Sequence, residues 1–426
     1  MGTILGNGNV LNQAGELIPV EILVEEGRIA AMGESLPREG HDWVDCKGGM
    51  ISAGLIDVHV HLREPGFEHK ETIETGATAA VRGGFTTICC MPNTRPSIDS
   101  VETVTSILDK ARAAGKARVI PYGAITVRQL GKELTDFAGL KEAGIFALTD
   151  DGVGVQSTAM MKKAMTAAAE LGISIVAHCE DEDLLIPGAA LHDGVVAARH
   201  GLPGIPSESE SIHVGRDILL AEQTGVHYHV CHISAKESVR LVRDGKRAGV
   251  NVTCEVTPHH LLLCDEDIPD NLDTNWKMNP PLRSREDRAA LIAGLKDGTI
   301  DMIATDHAPH TQEEKANGMA RAPFGIVGLE TAFPLLYTNL VQTGELTLQR
   351  LVELLTVLPA KAFGLSAGRL EVGAVADLTV IDLETEKKID PTTFASKGIN
   401  TPFTGWACKG WPILTLVDGK IVHQGV

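Results

Sequence analysis

His59-Val60-His61 closes the apolar run Gly54-Leu55-Ile56-Asp57-Val58. Side chains two apart on a β-strand leave the same face. Both imidazoles can therefore meet one metal ion, and neutral imidazole is the commonest protein ligand for zinc-like metals. Taken alone, the pair serves equally well as packing or surface histidines. His178 ends the run Ile173–Ala177, His232 ends Val226–Cys231, Asp306 ends Ile300–Thr305, and Asp151 follows a fourth run. Each has an ordinary reading. A lone His178 suits a hydrogen-bonded core position, His227 and His229 suit polar strand positions on the other face from His232, and Asp150-Asp151-Gly152 suits a helix cap or turn. A buried carboxylate at Asp306 is costly without a cation or donors. All of them at the same end of successive strands imply a metal.

Four histidines and two aspartates suit two ions. His59 and His61 with Asp306 would hold one, His178 and His232 the other, and Asp151 is the carboxylate at hand to bridge them. Two cations sharing a bridging hydroxide would make it available near neutral pH and polarise a carbonyl. Asp306 beside that hydroxide would shuttle its proton to a leaving nitrogen as general acid/base. The chemistry is addition of water to, or its removal from, an amide C–N bond.

The elements that must position these residues alternate. Strand-like runs fall at 54–60, 85–91, 118–124, 145–149, 173–178, 226–232, 250–256 and 300–305, with helical patterns such as Ser157–Leu171, Lys236–Ala248 and Ser284–Leu295 between them. Eight alternations over roughly 250–310 residues predict an α/β fold of the (β/α)8 TIM-like type, whose sites gather at strand ends. An open doubly wound sheet is less favoured, since no Gly-x-Gly-x-x-Gly follows the first strand. Both chain ends read as short strands, with an Asp418-Gly419 hairpin signal in the tail. The expected organisation is a small β-sandwich domain built from 1–52 and 366–426 beside a barrel over 53–365.

The chain has 426 residues, with 43% hydrophobic and 22% charged residues, as in an ordinary globular enzyme. A net charge of -18 argues against nonspecific nucleic-acid binding or docking on anionic membranes. It leaves room for an anionic substrate, because an arginine and two metals reverse the local field. No signal-peptide pattern opens the sequence and no run reaches a membrane span. Eight scattered cysteines without a Cys-x-x-Cys pair suggest reduced, packed thiols and a cytoplasmic protein.

The sequence resembles the amidohydrolase superfamily and, within it, the longer bacterial dihydroorotases. The stretches that carry the likeness span the barrel in order: Asp57–Gly66, Met91-Pro92-Asn93-Thr94, Thr149–Gly152, Val176–Glu180, Cys231–Ser234, Lys277–Arg283, Ala304–His310 and Pro323-Phe324-Gly325. The His-x-His pair is specific to the superfamily, and the stretches around Asn93 and Asn279 narrow it. The resemblance implies reversible cyclisation of N-carbamoyl-L-aspartate to L-dihydroorotate plus water, in pyrimidine (UMP) synthesis. It implies zinc, two ions per subunit, on His59, His61, Asp151, His178, His232 and Asp306. It assigns His61, Arg63, Asn93, Asn279, His310 and the Phe324-Gly325 backbone to the substrate. A planar guanidinium suits a carboxylate, and an asparagine amide suits an imide edge. A homodimer is the default assembly, with possible association with aspartate transcarbamoylase.

Many relatives, including hydantoinases and shorter dihydroorotases, bridge their metals with a carboxylated lysine on the fourth strand. Gly144–Asp151 contains no lysine, which weighs against a hydantoinase or allantoinase. An inactive homologue serving as a scaffold for another pyrimidine enzyme is a further alternative, opposed by the presence of all six ligand candidates. Residues 311–321, polar and containing Gly318, are expected either to close as a lid or to form an ordinary surface loop.

Overall fold

A computed structural model describes residues 2–425. Strands Leu55–Val60, Phe85–Cys90, Arg118–Pro121, Ile175–Ala177, Tyr228–Val230, Val252–Val256 and Met302–Ile303 run parallel around a ring. Most of them are buried on both faces, which is why they read as unbroken apolar runs rather than alternating ones. The fourth run, expected at 145–149, forms no named strand. Leu148 alone bridges Gly123 on one side and Ile175 on the other. Its ladder is short but satisfied: Thr149 N donates to Gly123 O (2.9 Å), and Val176 N donates to Leu148 O (2.9 Å).

The ring closes between its first and last members. Val60 pairs with His307, and His61 N donates to His307 O at 2.8 Å. Asp57, fully buried, accepts from Thr305 N at 3.1 Å. Helices cover the outside where the apolar spacing predicts them. Thr158–Leu171 buries Met161, Ala164, Met165 and Ala168, is capped by Ser157, and stops at Gly172 in the left-handed region. Arg285–Asp297 starts from a Ser284–Asp287 capping box.

The two chain ends meet in one eight-stranded sheet. A bulge in Thr3–Leu11 between Leu5 and Gly8 splits one edge. The first half pairs with Asp42–Asp45, and Asn9 pairs with Met50 at the start of Met50–Ala53. The sheet continues through Leu378–Asp382, Trp411–Val417 and Lys420–Gln424, the last two joined by the expected Asp418-Gly419 turn with both residues at positive φ. Its branches share a core of Leu5, Ile22, Ile51, Leu378 and Leu416. All eight cysteines are buried and unpaired.

The segment between the C-terminal strands does not stay with the sheet. Ile389, Phe403 and Cys408 pack with Leu263, Met278, Met319 and Ile326 over the barrel mouth. Asn400, buried there, uses every group of its amide. Oδ1 accepts from His310 N (3.1 Å), and Nδ2 donates to Ala308 O (3.0 Å) and Gly325 O (2.9 Å). Asn400→Ala is expected to lower unfolding stability by about 2–3 kcal/mol, because buried backbone groups lose their partners. Denaturant midpoints of the two proteins measure this, and equal midpoints would contradict it.

Candidate active site

The ring delivers its polar residues to one place. His59 and His61 leave the same face of the first strand. His59 Nε2 lies 3.5 Å from Asp151 Oδ1 and 3.4 Å from Asp306 Oδ1, and His61 Nε2 lies 3.7 Å from Asp151 Oδ2 and 3.0 Å from Asp306 Oδ1. His178 and His232 each lie beyond the end of their strand, with His178 Nδ1 2.9 Å from His232 Nε2. Among the six expected ligands, three sets have ligand atoms within 4.8 Å of one another: His59, His61 and Asp151; Asp151, His178 and His232; and His59, His232 and Asp306. Asp151 thus stands between the two histidine pairs. Its neighbour Asp150 turns away and accepts from Ile125 N and Thr126 N instead.

Backbone conformation aims several of these groups. His232 has φ 27°, Asp306 φ 49° and Arg63 φ 60°, a region that costs non-glycine residues energy and recurs at functional sites. The left-handed turn at His232 lets it reach the cluster although alternation sets it opposite His229.

Hydrogen bonds fix which imidazole nitrogen is free. His59 Nδ1 donates to Glu255 Oε1 at 2.6 Å, leaving the Nε2 lone pair to face Asp151 and Asp306. His61 Nδ1 donates to Asn93 Oδ1 at 3.0 Å, while Asn93 Nδ2 donates to Asp151 Oδ2 at 3.0 Å. His178 turns Nδ1 toward His232, while its Nε2 lies 3.4 Å from Asn279 Nδ2 and 3.6 Å from Glu180 Oε2. Such outer partners orient metal-binding histidines. His59 Nε2, Asp151 Oδ1 and His232 Nδ1 are buried with no hydrogen-bond partner. Bare buried atoms of this kind are costly, and a cation among them removes the cost for the first two. Burial opposes charge on His59, but Glu255, Asp306 and Asp151 raise it to about 10. Burial would raise Asp306, yet His59 and then His61 hold it well below the usual carboxylate range. The carboxylates call for positive charge at the centre, and a divalent cation supplies it.

A cavity of about 150 Å³ opens above the cluster, lined by His61, Arg63, Asn93, Asp151, Asn279, Asp306, Phe324 and Gly325 among others. The expected substrate residues other than His310 therefore line one cavity. His310 lies just behind it. Its Nε2 donates to Phe324 O (2.8 Å), and its Nδ1 accepts from Lys70 Nζ (3.3 Å), so it is neutral; burial, then Arg63 and Lys70, lower it to about 2. Arg63 gives Nε to Pro309 O at 3.3 Å, and its remaining edge faces a nitrogen that already carries a proton. Gly325 has φ 134°, and a Cβ there would meet Ala308 Cβ at 2.6 Å, so the wall admits no side chain at that point. Asn279 Nδ2 rests 3.2 Å from Glu180 Oε2.

Residues 311–321 lie fastened against this wall. Lys315, buried, donates to Lys277 O (3.2 Å), Pro323 O (3.1 Å) and Gly325 O (3.0 Å), and Lys277 Nζ donates to Met319 O (2.6 Å). Sequence reasoning missed these lysines, Glu255, Glu180 and Asn400. Glu255 left one trace, a carboxylate inside the apolar run Val252–Val256.

The chain matches the model of the dihydro-orotase-like family over residues 48–238 and that of an amidohydrolase family over 286–423. It is 90% identical to a dihydroorotase of Brevibacillus brevis, with 100% of both chains covered, and 61% identical to a dihydroorotase of Halalkalibacterium halodurans, covering 100% of this chain and 99% of that one. Among solved structures, L-hydantoinase from Arthrobacter aurescens superposes with a TM-score of 0.86 at 27% identity, over 100% of this chain and 96% of that one. The hydantoinase shares the barrel and the added sheet, while full-length identity of 90% and 61% lies with the dihydroorotases, and on that ground the chain belongs to the dihydroorotase family of metal-dependent cyclic amide hydrolases.

Proposed function

We propose that His59, His61 and Asp306 hold one zinc ion and His178 and His232 a second, with Asp151 between them. The site then performs the family reaction, the reversible closure of N-carbamoyl-L-aspartate to L-dihydroorotate and water in pyrimidine synthesis. The observation that carries this reading is Asp151 within reach of both histidine pairs, with unpartnered buried atoms on Asp151 and His59. Imidazole and carboxylate ligands suit zinc. Bound there, the cations would supply Lewis acidity and a water activated near neutral pH.

The residues of the chain supply the rest. Arg63 presents its free edge to the ring carboxylate, a planar match for two oxygens. Asn279 offers a donor and an acceptor to the imide edge. Asn93 holds His61 and Asp151 in place from the same wall. In ring opening, water adds to the ring carbonyl, the bond to the imide nitrogen breaks, and Asp306 carries the proton lost by water to that nitrogen. In closure, Asp306 takes a proton from the ureido nitrogen as it attacks the carbon of the protonated carboxyl group, and passes that proton to the hydroxyl, which leaves as water. Asp306 lies at the cavity floor, 3.0 Å from His61, where one carboxylate can serve both directions.

We place the enzyme in the reducing cytoplasm, which suits eight free thiols, as a two-fold dimer, the commonest closed assembly. Among the described residues, no helix is long and apolar enough to cross a membrane. Association with aspartate transcarbamoylase belongs to the same proposal, since carbamoylation of aspartate makes the substrate.

Ring-opening assays on zinc-loaded enzyme with L-dihydroorotate, hydantoin and allantoin in parallel test the reading. Dihydroorotate alone is expected to turn over. Chelation should abolish turnover and lower the melting temperature, and zinc should restore both, because metal binding and folding are linked. Turnover of hydantoin or allantoin instead would overturn the assignments of Arg63 and Asn279.

Asp306→Asn is expected to keep the fold and lose turnover in both directions, and wild-type rates would exclude its role. Arg63→Met should weaken binding of the carboxylated substrate by about 2–4 kcal/mol, the range for breaking a buried charge pair. An unchanged KM would rule out that contact.

A further inference from the structure

Below the site, a file of polar side chains runs down the inside of the barrel, where TIM-like barrels usually carry branched apolar residues. Glu255, fully buried, accepts from His59 Nδ1 at 2.6 Å and from His229 Nε2 at 3.0 Å. It also accepts the backbone N–H of His232 at 3.3 Å, so it touches two of the proposed ligands. His229 Nδ1 lies 2.7 Å from Thr253 Oγ1, Thr253 Oγ1 lies 2.8 Å from His227 Nε2, and His227 Nδ1 lies 2.8 Å from Ser174 Oγ. Phe363 lies edge-on against both His227 and His229 at the lower end.

With Glu255 ionised and His229 and His227 neutral, one direction satisfies every bond. An ionised Glu255 accepts and never donates, so His59 carries its proton on Nδ1 and His229 on Nε2. His229 Nδ1 must then accept from the Thr253 hydroxyl. The Thr253 oxygen accepts from His227 Nε2–H, and His227 Nδ1 accepts from the Ser174 hydroxyl. Every proton points up the file toward Glu255. Hydrogen bonds arranged head to tail polarise one another, and the low dielectric of the core strengthens them.

We infer that Glu255, with His229, Thr253, His227 and Ser174 beneath it, forms a directional hydrogen-bond relay that positions His59, fixing its Nε2 lone pair on the metal. The inference rests on the metal reading proposed above. These are positioning residues and touch no substrate. The direction of the relay is set at Glu255 and read at His227, beyond direct contact with the metal ligands. Glu255→Gln replaces one acceptor oxygen by an NH2 donor. With the amide oxygen kept on His59, its nitrogen donates to His229 Nε2, and each proton below must reverse, so that His227 moves its proton from Nε2 to Nδ1.

The test is nitrogen-15 NMR of histidine-labelled protein together with zinc affinity from chelator competition. Wild type is expected to show His227 protonated on Nε2, and Glu255→Gln on Nδ1, with zinc affinity reduced about 10–100-fold, as for other outer partners of metal ligands. Thr253→Val keeps the shape and cuts the file. It should weaken zinc several-fold, and in the Glu255→Gln, Thr253→Val double variant His227 should no longer switch. A purely structural role would lower the melting temperature of metal-free and loaded protein alike and leave both readouts unmoved, which would overturn the relay. A His227 tautomer in Glu255→Gln identical to wild type would do the same, and if that variant fails to fold, unchanged zinc affinity in Thr253→Val decides against it. Wild-type protein that binds no zinc would instead overturn the metal reading on which the relay depends.

Discussion

Three carboxylates crowd one fully buried imidazole at the mouth of the barrel. Asp151 and Asp306 approach His59 Nε2 at 3.5 and 3.4 Å, and Glu255 holds its Nδ1 at 2.6 Å. Such an arrangement is unstable unless positive charge sits at its centre. Much of the mouth answers to this constraint. The first and last strands are clasped by Asp57 on Thr305, so that His59 and Asp306 come from neighbouring ring positions. His232 and Asp306 accept left-handed backbone to face inward. Asn93 holds the histidine of one strand and the aspartate of another in register.

The barrel was legible because strands buried on both faces print continuous apolar runs, and each ligand sits where a run stops. The fourth run was visible at 145–149 although its pairing shrinks to Leu148, since burial leaves its mark on sequence whether or not the ladder is long. What stayed hidden depends on partners far away in the chain. Glu255 and His59 are separated by 196 positions, Asn400 and Gly325 by 75, and no local pattern announces either contact. His227 and His229 read as polar strand positions for a related reason. Alternation gives a face, and cannot say that the face lines a hydrogen-bonded file inside the barrel.

Lys315 marks a different limit. A polar stretch with a glycine reads as mobile, and lysine reads as exposed. Here three carbonyls take up the three N–H bonds of a buried ammonium, and burial and the neighbouring Lys277 lower it to about 7. The same ammonium reaches the carbonyl of Gly325, the point on the wall where no side chain fits. Lys315 and Met319 of this segment are buried at the mouth, while most of its other residues stay exposed.

The division of labour between ring and periphery follows. The proposed metal ligands stand on strand ends of one rigid ring, and the relay of Glu255 stiffens them from below. The wall beside them comes from loops, and loops need outside support to hold a shape. That support arrives from beyond the barrel strands: Lys315 from the segment after the last strand, and Asn400 from the C-terminal arm that crosses back from the sheet. Gly325 O accepts from both, and the backbone of His310 is fixed by Asn400. On the proposed reading, the reaction belongs to the ring, while discrimination between one cyclic amide and another belongs to a wall that the rest of the chain holds in place. A barrel shared with hydantoinases can then serve a different substrate without moving its metal-binding strands, since the loops and their outside supports are free to change independently of the ring.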